Sequence, residues 1–136
     1  LQRDGDIVGT DGVSNLNFEV NAGDYFIAIK HRNHLRIMTQ NTMNLNFSDI
    51  TTLDFTSDAN ILQGGQNAVV SLSNGKLAMV SGDVNENGNI QISDLSILVP
   101  ELGKSGYSIF DLNMNGQIQI NDINGLLTPN LGRGEQ

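Results

Sequence analysis

Two strings of oxygen-bearing side chains carry the chemistry that this sequence offers. Asp83-x-Asn85-x-Asn87-Gly88 and Asp111-x-Asn113-x-Asn115-Gly116 stand 28 residues apart, and each closes with an aspartate at its twelfth position, Asp94 and Asp122. A hard divalent cation such as calcium takes six to eight oxygens, and donors at positions 1, 3, 5 and 12 of a tight loop turn inward together. Glycine at position 6 supplies the sharp turn. Position 7 (Asn89, Gln117) is expected to offer its backbone carbonyl, and position 9 (Gln91, Gln119) an oxygen directly or through water. Ile90 and Ile118, at position 8, are expected to plug each loop onto the core. One such string in an Asn- and Gly-rich chain reads as a turn. Two in register read as a pair of sites for two calcium ions, with only two carboxylates each and hence affinity at the weak, extracellular end of the range.

The elements that must hold these loops are duplicated with them. "GDVNENGNIQISDLSILVPELGKSG" (82–106) matches "FDLNMNGQIQINDINGLLTPNLGRGE" (110–135) with one inserted residue after the loop. Each loop is followed by apolar residues at helical spacing, Leu95, Leu98 and Leu102 in the first unit and Ile123, Leu126 and Leu127 in the second. Pro100 and Pro129 limit these helices to short pieces, because the ring removes a donor and the preceding residue resists the helical conformation. A period of this size marks a supersecondary unit used twice, with approximate two-fold symmetry.

Aspartate rather than the EF-hand's glutamate at position 12, within "GDVNxxGxIxxxDLxxL" and "DLNxNGxIxxxDIxxL", resembles the duplicated module of type I dockerins over residues 82–135. Three features depart from that family: the segment between the loops is short, asparagine stands at position 5, and a proline follows each helix. The resemblance implies a calcium-folded module that docks a parent enzyme or adhesin onto a cohesin-like partner. Loop positions 10 and 11, here Ile92, Ser93, Ile120 and Asn121, would make the contact. Dockerins carry Ser-Thr or similar residues there, so isoleucine departs from the cellulosomal pattern. A second reading keeps the calcium module permanently packed on the chain's own first half, as a stiffened C-terminal region of a large secreted protein, with Ile92 and Ile120 buried between the two.

Residues 1–80 consist of short runs separated by turn signals: "LNFEV" (16–20), "YFIAIK" (25–30), "LRIMT" (35–39), "MNLNF" (43–47), "TTLDF" (51–55), "AVVSLS" (68–73) and "LAMV" (77–80). Asp11-Gly12, Gly23-Asp24, Gly64-Gly65 and Asn74-Gly75 stand between them as turns. Alternation at Leu16, Phe18 and Val20 and at Met43, Leu45 and Phe47 predicts half-buried strands, and the continuous "YFIAI" predicts a central one. "TDGVSNLNFEVNAGDYFIAI" resembles β-sandwich modules of the prealbumin-like or carboxypeptidase-regulatory kind. "AGDYFIAIKHRNHLRIMT" is similar to segments near the C-termini of large secreted Bacteroidetes proteins, whose sandwich begins further upstream. The expected fold is therefore mixed: an N-terminal antiparallel β-sandwich over 1–80, truncated at its start, followed by a small α-helical duplicated EF-hand-like module over 81–136. Glycan binding by the sandwich is a weaker reading, since the chain has no Trp and two Tyr to serve as platforms.

Composition excludes several classes. A formal charge of −8 repels a phosphate backbone, so nucleic acid is not an expected partner. With no cysteine, thiolate sites and disulfides are ruled out. No run reaches the roughly 20 apolar residues of a membrane span, so no membrane insertion is expected, and the resemblances imply a secreted or cell-surface location. No catalytic triad, carboxylate pair or phosphate loop can be drawn from the acids outside the loops, and no enzyme activity is expected. His31 and His34 lack a third ligand for zinc and read as a hydrogen-bonded turn. Asp4, Asp6 and Asp11 read as turn acids, and Glu86, at loop position 4, as an outward, solvated residue.

Overall fold

The computed structural model describes residues 7–16, 19–46 and 53–136. Among these, strands form within the apolar runs, but none exceeds three residues. They are β1 (Gly23–Tyr25), β2 (Ala28–Ile29), β3 (Ile37–Met38), β4 (Met43–Leu45), β5 (Val69–Ser71) and β6 (Leu77–Met79). They join two by two in antiparallel pairs: β1 with β4, Tyr25 opposite Met43; β2 with β3, Ala28 opposite Met38; β5 with β6, Val69 opposite Met79.

The expected N-terminal β-sandwich is not what forms: among the described residues there are three separate strand pairs and no closed sandwich. The cause is visible in the register. Continued unbroken, the β1–β4 ladder would set Ala28 opposite Gln40, yet Ala28 faces Met38, a slip of two residues. At the slip Thr39 donates its N–H to the Ile27 carbonyl while its hydroxyl accepts from the Ile27 N–H. "YFIAI" is thereby split between two ladders instead of running as one central strand, and Phe26 is 55 % exposed. Gly23-Asp24, expected as a turn, opens β1. Asn74-Gly75 does form the turn between β5 and β6, with Gly75 at φ +79°. Asn17, Phe18, Phe47, Thr51 and Thr52, within three of the expected strands, lie outside the described residues.

The helical part is also smaller than expected. α1 spans Ile92–Leu98 and passes into a 3-10 turn, Val99–Glu101, that contains Pro100. α2 is a single turn, Ile120–Asp122, followed by a π-helical stretch, Ile123–Leu127, and a 3-10 turn, Thr128–Asn130, that contains Pro129. The prolines end both helices, and Asn124-Gly125, both poor helix formers, lie where the second loosens.

Two hydrophobic clusters result. Ile37, Leu62, Ala68 and Val69 form the first, flanked by Ile29, Phe55, Leu77 and Met79. The second gathers Val84, Ile90, Leu98, Leu112, Ile118, Ile123 and Leu127 from the repeat, together with Leu35 and Val80 from the preceding segment. Leu35 is tied in place, its N–H donating to the Val80 carbonyl at 2.8 Å, and Gly82 donates to the Asn33 carbonyl at 2.8 Å. The fully buried Asn33 donates from Nδ2 to the Ile109 carbonyl at 2.8 Å. From the other end, Arg133 Nη2 donates to the carbonyls of Asn67 and Val69. The repeat thus shares its core with the first half of the chain.

Beside this seam His31 and His34 form the expected turn, with Nδ1 to Nδ1 at 2.9 Å, so one ring donates and the other accepts. Burial first, then the neighbouring His31 and Arg32, pulls the His34 pKa down to about 4. Because the folded pKa lies below the ordinary 6.5, the neutral ring's contribution is complete above about pH 6.5 and lost as pH falls toward 4. Denaturation midpoints of wild type minus His34→Gln should show that loss, on the order of 3 kcal/mol across the window; a pH-independent difference would remove His34 as its source. Leu35→Ala should cost about 2–5 kcal/mol and lower the stability of the repeat along with its own half, read as one cooperative transition by far-UV dichroism and by hydrogen exchange at Ile90 and Ile118.

Candidate metal centre

Each loop is wound around two carboxylates by backbone N–H groups. Asp94 Oδ1 accepts from the N–H groups of Val84 and Asn85 at 3.0 and 3.2 Å, and its Oδ2 accepts from Gln91 N–H at 2.8 Å. One side chain therefore clamps the start of the loop to its end, and the last bond caps α1. Asp83 accepts from Asn87 and Gly88, both at 3.0 Å. Asn85 Oδ1 accepts from Asn87 N–H at 3.0 Å, and Asn87 Oδ1 from Asn89 N–H at 2.9 Å.

All seven bonds recur 28 residues later. Asp122 takes Leu112, Asn113 and Gln119; Asp111 takes Asn115 and Gly116; Asn113 takes Asn115; and Asn115 takes Gln117. Position 6 is left-handed in both, Gly88 at φ +80° and Gly116 at +86°, and so is position 4, Glu86 at +58° and Met114 at +59°. A left-handed non-glycine residue is uncommon, and its recurrence at one loop position shows that the winding is imposed by the loop rather than by the residue. Glu86 does point outward, where it pairs with Lys30 at 2.9 Å.

The carboxylates are buried: Asp83 and Asp111 are 3 % exposed, Asp94 and Asp122 fully buried. The ion pairs among the described residues, Lys30–Glu86, Arg36–Glu135, Lys76–Asp54 and Lys104–Glu101, include none of the four. Burial pushes the Asp83 carboxyl above its ordinary value against the pull of the Gly88 and Asn87 N–H groups, and the charges of Asp94 and Glu135 add to the rise. A carboxylate offers about four lone-pair sites and an amide oxygen two. The bonds above leave Asp83 with one free on each oxygen, Asn85 and Asn87 with one each, and Asp94 with one.

Among the described residues no group of three or more His, Cys, Asp or Glu converges on one point. Each loop's donors are two carboxylates and amide oxygens, an all-oxygen set suited to calcium and unsuited to zinc or copper. The residues that would hold the ions are Asp83, Asn85, Asn87 and Asp94 in the first loop and Asp111, Asn113, Asn115 and Asp122 in the second, with the carbonyls of Asn89 and Gln117. A bound cation would neutralise the carboxylate pair. Of the position-9 side chains, Gln119 is turned onto Gln117 Oε1. Ile90 and Ile118 are buried in the core as their position requires, and Ile92, Ser93, Ile120 and Asn121 are all exposed.

Outside the loops, Asp11 is a turn acid. The Ser14 hydroxyl and the backbone N–H groups of Ser14 and Val13 bind it and hold its pKa at about 2. Asp4 and Asp6 lie outside the described residues.

One arrangement was missed in the sequence. The second half of each loop pairs with the chain that follows the other unit's helix. Gly103 N–H donates to the Ile118 carbonyl, Ile118 to Lys104, and Gly106 to Gly116; in the mirror set Gly132 donates to Ile90, Ile90 to Arg133, and Glu135 to Gly88. The repeated Leu-Gly-base after each proline is the signal of this exchange. Glu135 goes further, accepting from Arg36 N–H, pairing with the Arg36 guanidinium at 3.1 Å and lying over Gly88.

No protein-family model matches this chain, and neither a curated protein nor a solved structure matches it.

Calorimetry on chelator-stripped protein should give two calcium ions per chain with Kd on the order of 10⁻⁴ to 10⁻³ M. Asp94→Asn and Asp122→Asn should each remove one ion and leave the other measurable. Asn87→Asp, which adds a carboxylate at a position with a free lone pair, should tighten the first site by on the order of tenfold.

Proposed function

We propose that the chain is a non-catalytic module of a secreted or cell-surface protein, which binds two calcium ions and docks its parent onto a cohesin-like partner. The observation that carries this reading is the exposure of Ile92 and Ile120, 64 % and 56 %, at the same loop position of two units whose inward residues are almost completely buried. Both open their helices, α1 and α2, beside the Asp94 and Asp122 that clamp the loops. Calcium would thereby fix the direction in which each isoleucine points. Ser93 Oγ accepts from Asn85 Nδ2 at 3.2 Å, which links the neighbouring contact residue to a loop donor.

The second reading, a calcium-stiffened region packed on its own first half, is favoured by Leu35 in the shared core and by the Arg36–Glu135 pair. It predicts buried Ile92 and Ile120 side chains, and their exposure is what favours docking in trans over packing in cis alone.

Binding to a cohesin-like domain should be one to one and calcium-dependent. Since either unit can present its isoleucine after a half-turn, Ile92→Asp or Ile120→Asp alone should leave affinity within a few-fold. The double variant should lose at least about thirtyfold, roughly 2 kcal/mol. A double variant that keeps both calcium ions and still binds, or a wild-type chain that binds no cohesin-like domain from its own source, overturns docking.

A further inference from the structure

The chain carries four Asn-Gly steps: Asn74-Gly75, Asn87-Gly88, Asn115-Gly116 and Asn124-Gly125. A glycine after asparagine leaves its backbone nitrogen unshielded and its dihedral angles permissive, so that nitrogen can reach the asparagine carboxamide carbon and close a five-membered ring. Two of the four steps occupy positions 5 and 6 of the loops, and both asparagines are exposed to water.

We propose that Asn87 and Asn115 are modification sites at which the chain deamidates itself when a loop is without its ion, and that the ordered loop suppresses the reaction. The proposal rests on the calcium reading of the loops. In the first loop the Gly88 nitrogen forms a bond to Asn87 Cγ, the Cγ–Nδ2 bond breaks, and Nδ2 departs as ammonia with the proton given up by Gly88. Water then adds across one of the two C–N bonds of the cyclic imide. Opening on one side gives aspartate on an ordinary backbone; opening on the other gives isoaspartate, with the chain running through the former side chain. Water enters, ammonia leaves, and nothing is oxidised or reduced.

The ordered loop restrains every group in that step. Gly88 donates its N–H to Asp83 Oδ2 at 3.0 Å, and the Asn87 carboxamide is held through Oδ1 by Asn89 N–H at 2.9 Å. Asn87's own N–H is shared between Asp83 and Asn85. In the second loop Gly116 is bound to Asp111 at 2.7 Å and Asn115 to Gln117 at 2.9 Å. The backbone restraints converge on buried carboxylates that lack basic partners among the described residues. Without a cation the buried charges repel and the loop opens, which frees both the nitrogen and the carboxamide.

One of the other two steps is an internal reference. Asn74-Gly75 lies in the exposed turn between β5 and β6, bonded to Leu72 and Lys76 rather than to a loop aspartate, so its rate is expected to be independent of calcium. Asn124-Gly125 lies within the π-helical stretch after α2.

The two products act in opposite directions. Aspartate adds a third carboxylate to the loop, whereas isoaspartate lengthens the backbone between positions 5 and 6 and moves the Gly88 or Gly116 N–H out of reach of the first aspartate. A loop left empty for long is thereby permanently altered.

The test is to incubate the full chain at mildly alkaline pH with calcium at one hundred times Kd or with chelator, and to map the four asparagines by peptide mass and isoaspartate content. Parallel calorimetry establishes that calcium binds. Conversion at Asn87 and Asn115 should be slowed by calcium by up to about a hundredfold, the factor by which the open loop is depopulated, while Asn74 converts at one rate in both. Equal rates at Asn87 and Asn115 with calcium heat present overturn the proposal alone. Equal rates with no calcium heat overturn both the proposal and the calcium reading on which it rests.

Discussion

Four buried carboxylates without basic partners among the described residues set the terms for the second half of this chain. Burying an unpaired carboxylate costs several kcal/mol, and the cost falls only if hydrogen bonds and a counter-charge reach it. The chain supplies the first from its own backbone. Five N–H groups of each loop turn toward its two aspartates, and the turn they require forces left-handed conformations at positions 4 and 6. The same clamp fixes where each helix begins, because Asp94 and Asp122 cap the residue that precedes it. Asn85, Asn87, Asn113 and Asn115 bring oxygen to this centre without bringing more charge. The backbone shares out hydrogen bonds, while the remaining lone pairs and the net negative charge are a requirement that the proposed calcium ion would meet.

The exchange of paired segments makes the two loops parts of one object. Ile90 and Ile118 are each held between the core and a segment contributed by the opposite unit. Opening the first loop exposes the pairing face of residues 132–135, and opening the second exposes that of 103–106. The units are nevertheless not equivalent. The segment on the first loop is itself anchored to the N-terminal half by Arg133 on Asn67 and Val69 and by Glu135 on Arg36, and Glu86 reaches Lys30. Near the second loop the contact from that half is Asn33 on the Ile109 carbonyl, two residues before Asp111. Loops with the same hydrogen bonds inside them therefore have different surroundings.

What could be read from the sequence divides by range. The loops were legible because all their bonds close within twelve residues, where spacing alone decides which donor meets which acceptor. The buried Ile90 and Ile118 and the proline-limited helices follow from equally local rules. The first half was not legible in this way. Alternating apolar residues announce a half-buried strand but do not say with what it pairs, and the two-residue slip at Thr39 cuts each ladder short. Gly23-Asp24 carries turn chemistry and is drawn into β1 by its pairing with β4. Leu35 joins the core of the repeat through Val80, 45 positions away, and no pattern around Leu35 encodes that distance. Asn33 lies within the turn of His31 and His34, yet its carboxamide donates to Ile109 across the seam.

The repeat also separates features that the molecule uses internally from those it does not. Ile-Gln-Ile places one isoleucine of each unit in the core, Asp closes each loop, and Leu-Gly-base supplies the exchanged segment; each of these is accounted for by contacts within the chain. The second isoleucine of Ile-Gln-Ile is not. Ile92 and Ile120 begin helices, where a polar residue would serve as well, and a side chain more than half exposed gains little from burial. A single exposed apolar residue needs no explanation. Two at corresponding places, each next to the residue that a loop aspartate caps, form a pattern that contacts within the chain leave unused, and the proposed docking surface would use it.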